Sequence, residues 1–195
     1  MPEEIEPTTL TSRFEQALVF ALRLHARQVR KGTRIPYVSH LLAVASLVLE
    51  DGGDEDEAVA ALLHDAVEDQ GGRATLEDIR RIFGQRVAGI VAACSDTDAQ
   101  PKPPWRERKE RYLEHLRHAP PEVRRVSAAD KVHNARSILR DVRADGEAIW
   151  DRFSARKDGT LWYYRSLAVV FAETGGGYLV DELRRVVDDI ERVSG

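Results

Sequence analysis

Apolar residues recur at three- and four-residue spacing along almost the whole chain, which is the signature of amphipathic helices. In TSRFEQALVFALRLHARQVRK (residues 11–31), Phe14, Ala17, Leu18, Ala21, Leu22 and Leu24 fall on one face, with Thr11 or Ser12 placed to cap it. SHLLAVASLVLEDGG follows and is stopped by Gly52 and Gly53. DEDEAVAALLHDAVED opens with acids in its first turn, where the helix dipole favours them. TLEDIRRIFG starts on Thr75 with Asp78 three residues later, close to a capping box. QRVAGIVAACS, WRERKERYLEHLRH and PPEVRRVSAADKVHNARSILRDVR continue the pattern, the last entered through Pro120 and Pro121. GTLWYYRSLAVVFAE and GYLVDELRRVVDDIERV close it, on either side of Gly175, Gly176 and Gly177. No strand alternation, hairpin dipeptide or internal repeat stands out. The pattern predicts an all-α, single-domain fold of nine or ten helices.

Composition narrows this reading. A chain of 195 residues, 43% apolar and 32% charged, is long enough for one domain with a sizeable core. The single cysteine, Cys94, leaves no internal disulfide framework and suits a reducing, cytoplasmic setting. MPEEIEPTTL is acidic and lacks the apolar stretch of a signal peptide, and no run approaches membrane-spanning length. A net charge of −4 argues against a nucleic-acid partner, yet it permits a local basic pocket around Arg27, Arg30, Lys31 and Arg34.

One segment breaks the simple pattern. In ALLHDAVEDQ, an apolar helix runs without a turn signal into His64, Asp65, Glu68 and Asp69. At helical spacing these groups share a face, where several carboxylates repel unless a cation compensates them. His40, at the head of HLLAVA, and Asp130, inside VSAADKVHNAR, are also embedded in apolar helix. Any one of these histidines alone reads as an ordinary packed residue. Together they let three helices each push a ligand inward, the way metal sites are built in helical cores.

The same residues carry a family resemblance. The His64-Asp65 pair, with a histidine before it and an aspartate after it, resembles the signature of the HD phosphohydrolase superfamily. HARQVRKGTRIPYVSHLLAVASLVL, AALLHDAVEDQ, TLEDIRRIFGQRVAGIV and AADKVHNAR are similar, in order and spacing, to segments of the RelA/SpoT-type (p)ppGpp hydrolase domain. The similarity runs from about residue 13 to about residue 140. It implies a helical hydrolase domain over 12–174, preceded by an extension over 1–11 and followed by a helix in 175–195 packed on the same domain. It implies metal ligands His40, His64, Asp65 and Asp130, with Mn²⁺ as the expected ion and another divalent metal as the alternative. It implies Glu68 and Asp69 as catalytic acids, and Arg30, Lys31 and Asn134 in a nucleotide pocket. The implied reaction removes pyrophosphate from the 3′ position of ppGpp or pppGpp.

The chain departs from that pattern in places. Leu41 stands where a proline is usual. Asp96 and Asp98 fall where the family carries a substrate-binding lysine, so that Lys102, Arg106 or Lys109 would have to supply the charge. This motivates two alternatives: an HD phosphohydrolase acting on another nucleotide, such as NADPH or a simple nucleotide, and a non-catalytic nucleotide-binding module. Tyr37, Trp105, Trp162, Tyr163 and Tyr164 are of a type to stack on a purine, but large aromatics at helical spacing more often fill a core. His25 reads as packing, and His115, His118 and His133 as surface groups or neighbours of the ligands. Homo-oligomerisation is left open by the sequence.

Overall fold

The computed structural model describes residues 8–95 and 103–195. Among them the chain forms α1 (Ser12–Leu24), α2 (Val38–Glu50), α3 (Glu55–Leu63), α4 (Ala66–Asp69), α5 (Gly72–Phe83) and α6 (Gln85–Cys94). Then come α7 (Trp105–His118), α8 (Pro121–Asp145), a 3₁₀ helix (Gly146–Arg152), α9 (Arg156–Thr174) and α10 (Tyr178–Ser194). The all-α reading holds. The only β feature among the described residues is one isolated bridge, Val29 with Pro36.

The core is organised around two helices. α3 is surrounded by α1, α2, α6 and α8, and accordingly Ala58 to Leu63 are all buried. A helix apolar on every side has no solvent face to keep. Its start is fixed by Asp54, whose side chain accepts from Glu57 N–H while the Glu57 carboxylate accepts from Asp54 N–H. Glu57 is itself buried, and Arg125 of α8 compensates it while also reaching Asp51 at 3.1 Å. α8 is the long spine, packing against α2, α3, α6, α9 and α10. Pro121 opens it at a position where a missing N–H costs nothing. Val126, Ala129, Val132, Ala135, Leu139 and Val142 are among its buried residues.

Four local outcomes differ from the helical pattern. First, α1 stops at Leu24 instead of running on to Lys31. His25 closes it and turns its ring inward to stack on Tyr37, with centroids 5.2 Å apart. Residues 28–37 then form a narrow loop, held by Tyr37 N–H to Gln28 O (3.0 Å) and Arg30 N–H to Ile35 O (2.8 Å). Its tip is a turn closed by Thr33 N–H on Arg30 O, with Gly32 at φ +73°. That conformation favours glycine, and a Cβ there would also stand 3.3 Å from Arg152 Cδ. Arg30 and Lys31 are therefore loop residues, not a basic helix end.

Second, the helix through residues 60–69 breaks at His64-Asp65, where His64 Nδ1–H donates to the Ala61 carbonyl at 2.8 Å. Third, Thr75 lies inside α5 rather than capping it; its hydroxyl donates back to Gln70 O, and Gly71 in the left-handed region begins the helix. Fourth, the 3₁₀ helix buries Ile149 and Trp150 without having shown a helical period.

Candidate active site

The break between α3 and α4 places Asp65 in the lining of a cleft of about 480 Å³, with His64 buried beside it. α2 brings His40 to the same point, fully buried, and α8 brings Asp130. One ligand atom each from His40, His64 and Asp65 lies within 4.8 Å of the others. His64 Nε2 is 3.0 Å from Asp65 Oδ2 and 3.7 Å from Asp130 Oδ1. His40 Nε2 is 3.5 Å from Asp65 Oδ2 and 3.3 Å from Asp130 Oδ1. Asp130 thus approaches both imidazoles from the opposite helix.

These residues fit a divalent cation. The Nε2 atoms of His40 and His64 are sealed from solvent and make no hydrogen bond of acceptable geometry, although carboxylate oxygens stand close by. Donors roughly 2.1 Å from a common ion stand about 3.0–3.4 Å apart, and the imidazole–carboxylate distances here, 3.0 to 3.7 Å, are close to that spacing. The electrostatics agree. Burial alone would push the His64 proton off, but Asp65 and Asp130 outweigh it and hold the ring's affinity for a proton well above normal. Burial likewise opposes charge on Asp65 and Asp130, yet His64 and His40 around Asp65, and Lys131 and the same two histidines around Asp130, keep both well below the usual carboxylate range. The same carboxylate field favours positive charge at this point, whether a proton or a metal ion carries it.

An outer layer orients the inner one. His64 Nδ1 is fixed on Ala61 O, leaving Nε2 for the site. His40 Nδ1 lies 2.7 Å from His133 Nδ1. Burial, then His40 and Arg30, push His133 down to about 4, so it is uncharged at neutral pH. Tyr37 donates its hydroxyl to Asp65 Oδ2 at 2.5 Å; burial and the neighbouring Asp65 keep that phenol protonated. Lys131 pairs with Asp130 Oδ2, and Asn134 Nδ2 donates to Asp130 Oδ1 at 2.5 Å. Arg30 Nη2 in turn donates to Asn134 Oδ1 at 2.6 Å, so the loop is tied to Asp130 through one amide.

Glu68 and Asp69 lie on α4, one turn beyond Asp65, and both line the cleft. Burial pushes the Asp69 carboxyl up, and Asp65 and Glu68 add to this against a hydrogen bond from Gln28. Arg30, Lys31 and Asn134 line the same cleft, with Lys131, Arg140, Arg152 and Tyr164. The structure therefore brings the sequence-derived candidates into one place.

The candidates for the missing lysine divide. Asp96, Asp98 and Lys102 lie outside the described residues. Arg106 sits over the Trp162 ring at 3.2 Å and pairs with Glu110. Lys109 lines a smaller hollow beside the cleft with Lys31, Trp105, Tyr163 and Tyr164. Trp162 is half-buried, and Tyr163 and Tyr164 are buried; Tyr37 spends its hydroxyl on Asp65. Sequence reasoning gave no role to Gln28, Lys131, Arg140 or Arg152. The first two sit inside the quoted segments HARQVRK and AADKVHNAR; Arg140 and Arg152 carry no local signal.

Helical architecture and a two-histidine, two-aspartate centre at the end of a split helix define an HD-type fold. The HD domain family model matches residues 17–161, and the chain belongs to that family. It is 41% identical over 128 residues, 64% of this chain and 69% of the relative, to the guanosine-3′,5′-bis(diphosphate) 3′-pyrophosphohydrolase MESH1 of Xenopus tropicalis. It is 33% identical over 138 residues to the bifunctional (p)ppGpp synthase/hydrolase SpoT of Escherichia coli, covering 68% of this chain and 19% of that longer protein. The solved structure of a metazoan ortholog of SpoT that hydrolyses ppGpp superimposes with a TM-score of 0.77 at 26% identity, covering 96% of this chain and 99% of that one.

Proposed function

We propose that the chain is a metal-dependent guanosine-3′,5′-bis(diphosphate) 3′-pyrophosphohydrolase that releases pyrophosphate from (p)ppGpp. The observation that carries this reading is the convergence of buried His40 and His64 on Asp65 and Asp130, which line a cleft that Arg30 and Lys31 line as well. The named activity of the MESH1 and SpoT relatives supports the choice of substrate. Mn²⁺ is the proposed ion, as the family resemblance implies; imidazole and carboxylate donors without thiolate suit it as they suit Fe²⁺ and Zn²⁺. A cytoplasmic setting accords with the unpaired Cys94. No helix among the described residues is long and apolar enough to cross a membrane.

His40, His64, Asp65 and Asp130 would hold the ion. A divalent cation there supplies Lewis acidity to a phosphoryl oxygen and makes a water more acidic. Glu68 and Asp69 orient the attacking water and take its proton as the oxygen–phosphorus bond forms. The bond from that phosphorus to the 3′-oxygen breaks, and pyrophosphate leaves while the 3′-oxygen regains a proton. Arg30 and Lys31 neutralise phosphate charge at the cleft wall, and Asn134 keeps Arg30 and Asp130 in register.

The test is product analysis. Purified protein with Mn²⁺, given a panel of ppGpp, NADPH and simple nucleotides, is expected to yield GDP and pyrophosphate from ppGpp. Absence of pyrophosphate from ppGpp would remove the substrate assignment, and cleavage of another nucleotide would replace it.

A further inference from the structure

Gln28 is a polar side chain of the cleft with three side-chain partners and no part in the scheme above. It precedes the loop tip and lines the cleft wall. Its Nε2 donates to Asp69 Oδ2 at 2.7 Å. Its Oε1 accepts from His25 Nδ1–H at 2.7 Å and from Gln70 Nε2 at 2.6 Å. The backbone on either side is fixed as well, by Gln28 N–H to His25 O and Tyr37 N–H to Gln28 O, both 3.0 Å.

This pattern removes the ambiguity an amide side chain usually has. Rotating the amide by half a turn would set its oxygen against the Asp69 carboxylate and its NH₂ against two donors. The contact with the carboxylate, which can only accept, would become repulsive, and His25 and Gln70 would have to change tautomer and rotate. His25 is buried, and stacking on Tyr37 holds the plane of its ring. The amide is locked with its donor toward Asp69.

We propose that Gln28 is a positioning residue: locked by His25 and Gln70, its amide aims the Asp69 carboxylate into the cleft beside the metal centre. The inference rests on the proposed catalytic role of Asp69. It gives Gln28 a task distinct from ligating metal or binding phosphate. It also assigns a purpose to His25, whose Nδ1–H holds the far end of the amide. The charged and titratable groups around Asp69 are Asp65 and Glu68 on its own turn and His25 and Tyr37 on the preceding segment. Arg30 and Lys31 line the same cleft. Gln28 stabilises the charged form of Asp69, against the burial that favours the neutral form.

Three variants test this in the metal-loaded protein. Gln28→Leu keeps the bulk and removes both halves of the amide. Gln28→Glu keeps the shape, removes the donor and adds a like charge. His25→Phe keeps the stack on Tyr37 and unlocks the amide. Gln28→Leu is expected to lower kcat by roughly tenfold to a hundredfold, the worth of one hydrogen bond to a charged group, with KM and metal content near those of the parent. The Asp69 carboxyl, followed by carbon NMR in protein loaded with diamagnetic Zn²⁺ and assigned with Asp69→Asn, should titrate at higher pH in Gln28→Leu and higher still in Gln28→Glu. His25→Phe should shift both readouts in the same direction, by less. An unchanged Asp69 titration and kcat in Gln28→Leu and Gln28→Glu would overturn the proposal. So would loss of metal and helix content alongside activity, which would make Gln28 a structural residue only. If the parent releases no pyrophosphate from ppGpp, the substrate assignment fails, while the titration still decides what Gln28 does to Asp69.

Discussion

His133 Nδ1 stands 2.7 Å from His40 Nδ1, so a second histidine backs the one that α2 sends to the proposed metal site. To ligate, His40 must present a lone pair at Nε2, so its proton belongs on Nδ1, where uncharged His133 accepts it. His133→Ala removes that acceptor while leaving all four ligands in place. Metal affinity, measured by titration with Mn²⁺, should fall roughly tenfold to a hundredfold. Unaltered affinity would mean that the ring of His40 is held by packing alone.

Removal of a ligand should act more severely. His64→Ala or Asp130→Ala is expected to abolish bound divalent metal and activity together. Each opens the centre and leaves the remaining carboxylates uncompensated. Elemental analysis showing full occupancy in both variants would reject this ligand set.

Glu68→Gln separates chemistry from metal binding. The amide preserves shape yet accepts no proton, so metal content and helical signal should stay at parental levels while kcat falls roughly a hundredfold or more. Parental turnover in this variant would make Glu68 a bystander.

Lys31→Glu reports on the loop. Lys31 is exposed at the cleft wall, so its contribution is partly screened by solvent. Reversing its charge should raise KM for ppGpp about tenfold at low salt, and less at high salt, with metal content unchanged. A KM that does not move would show that substrate phosphates lie elsewhere in the cleft.

The sequence alone determined the helices and most of the centre. Periodicity located α2, α7 and α8 closely, because amphipathic faces and proline starts are local. It also exposed His64, Asp65, Glu68 and Asp69, because ionisable groups inside an apolar run conflict with burial unless something compensates them. Tertiary structure decided the rest. α1 ends at Leu24 because His25 finds a stacking partner in Tyr37, a residue no local pattern pairs with it. Arg30 and Lys31 became a loop, since Val29 and Pro36 pair across a turn that Gly32 permits. His133 and Gln28 met His40 and Asp69 only when α8 and the loop packed against α2 and α4, since hydrogen-bond partners 93 and 41 positions apart are set by packing and leave no period in the chain.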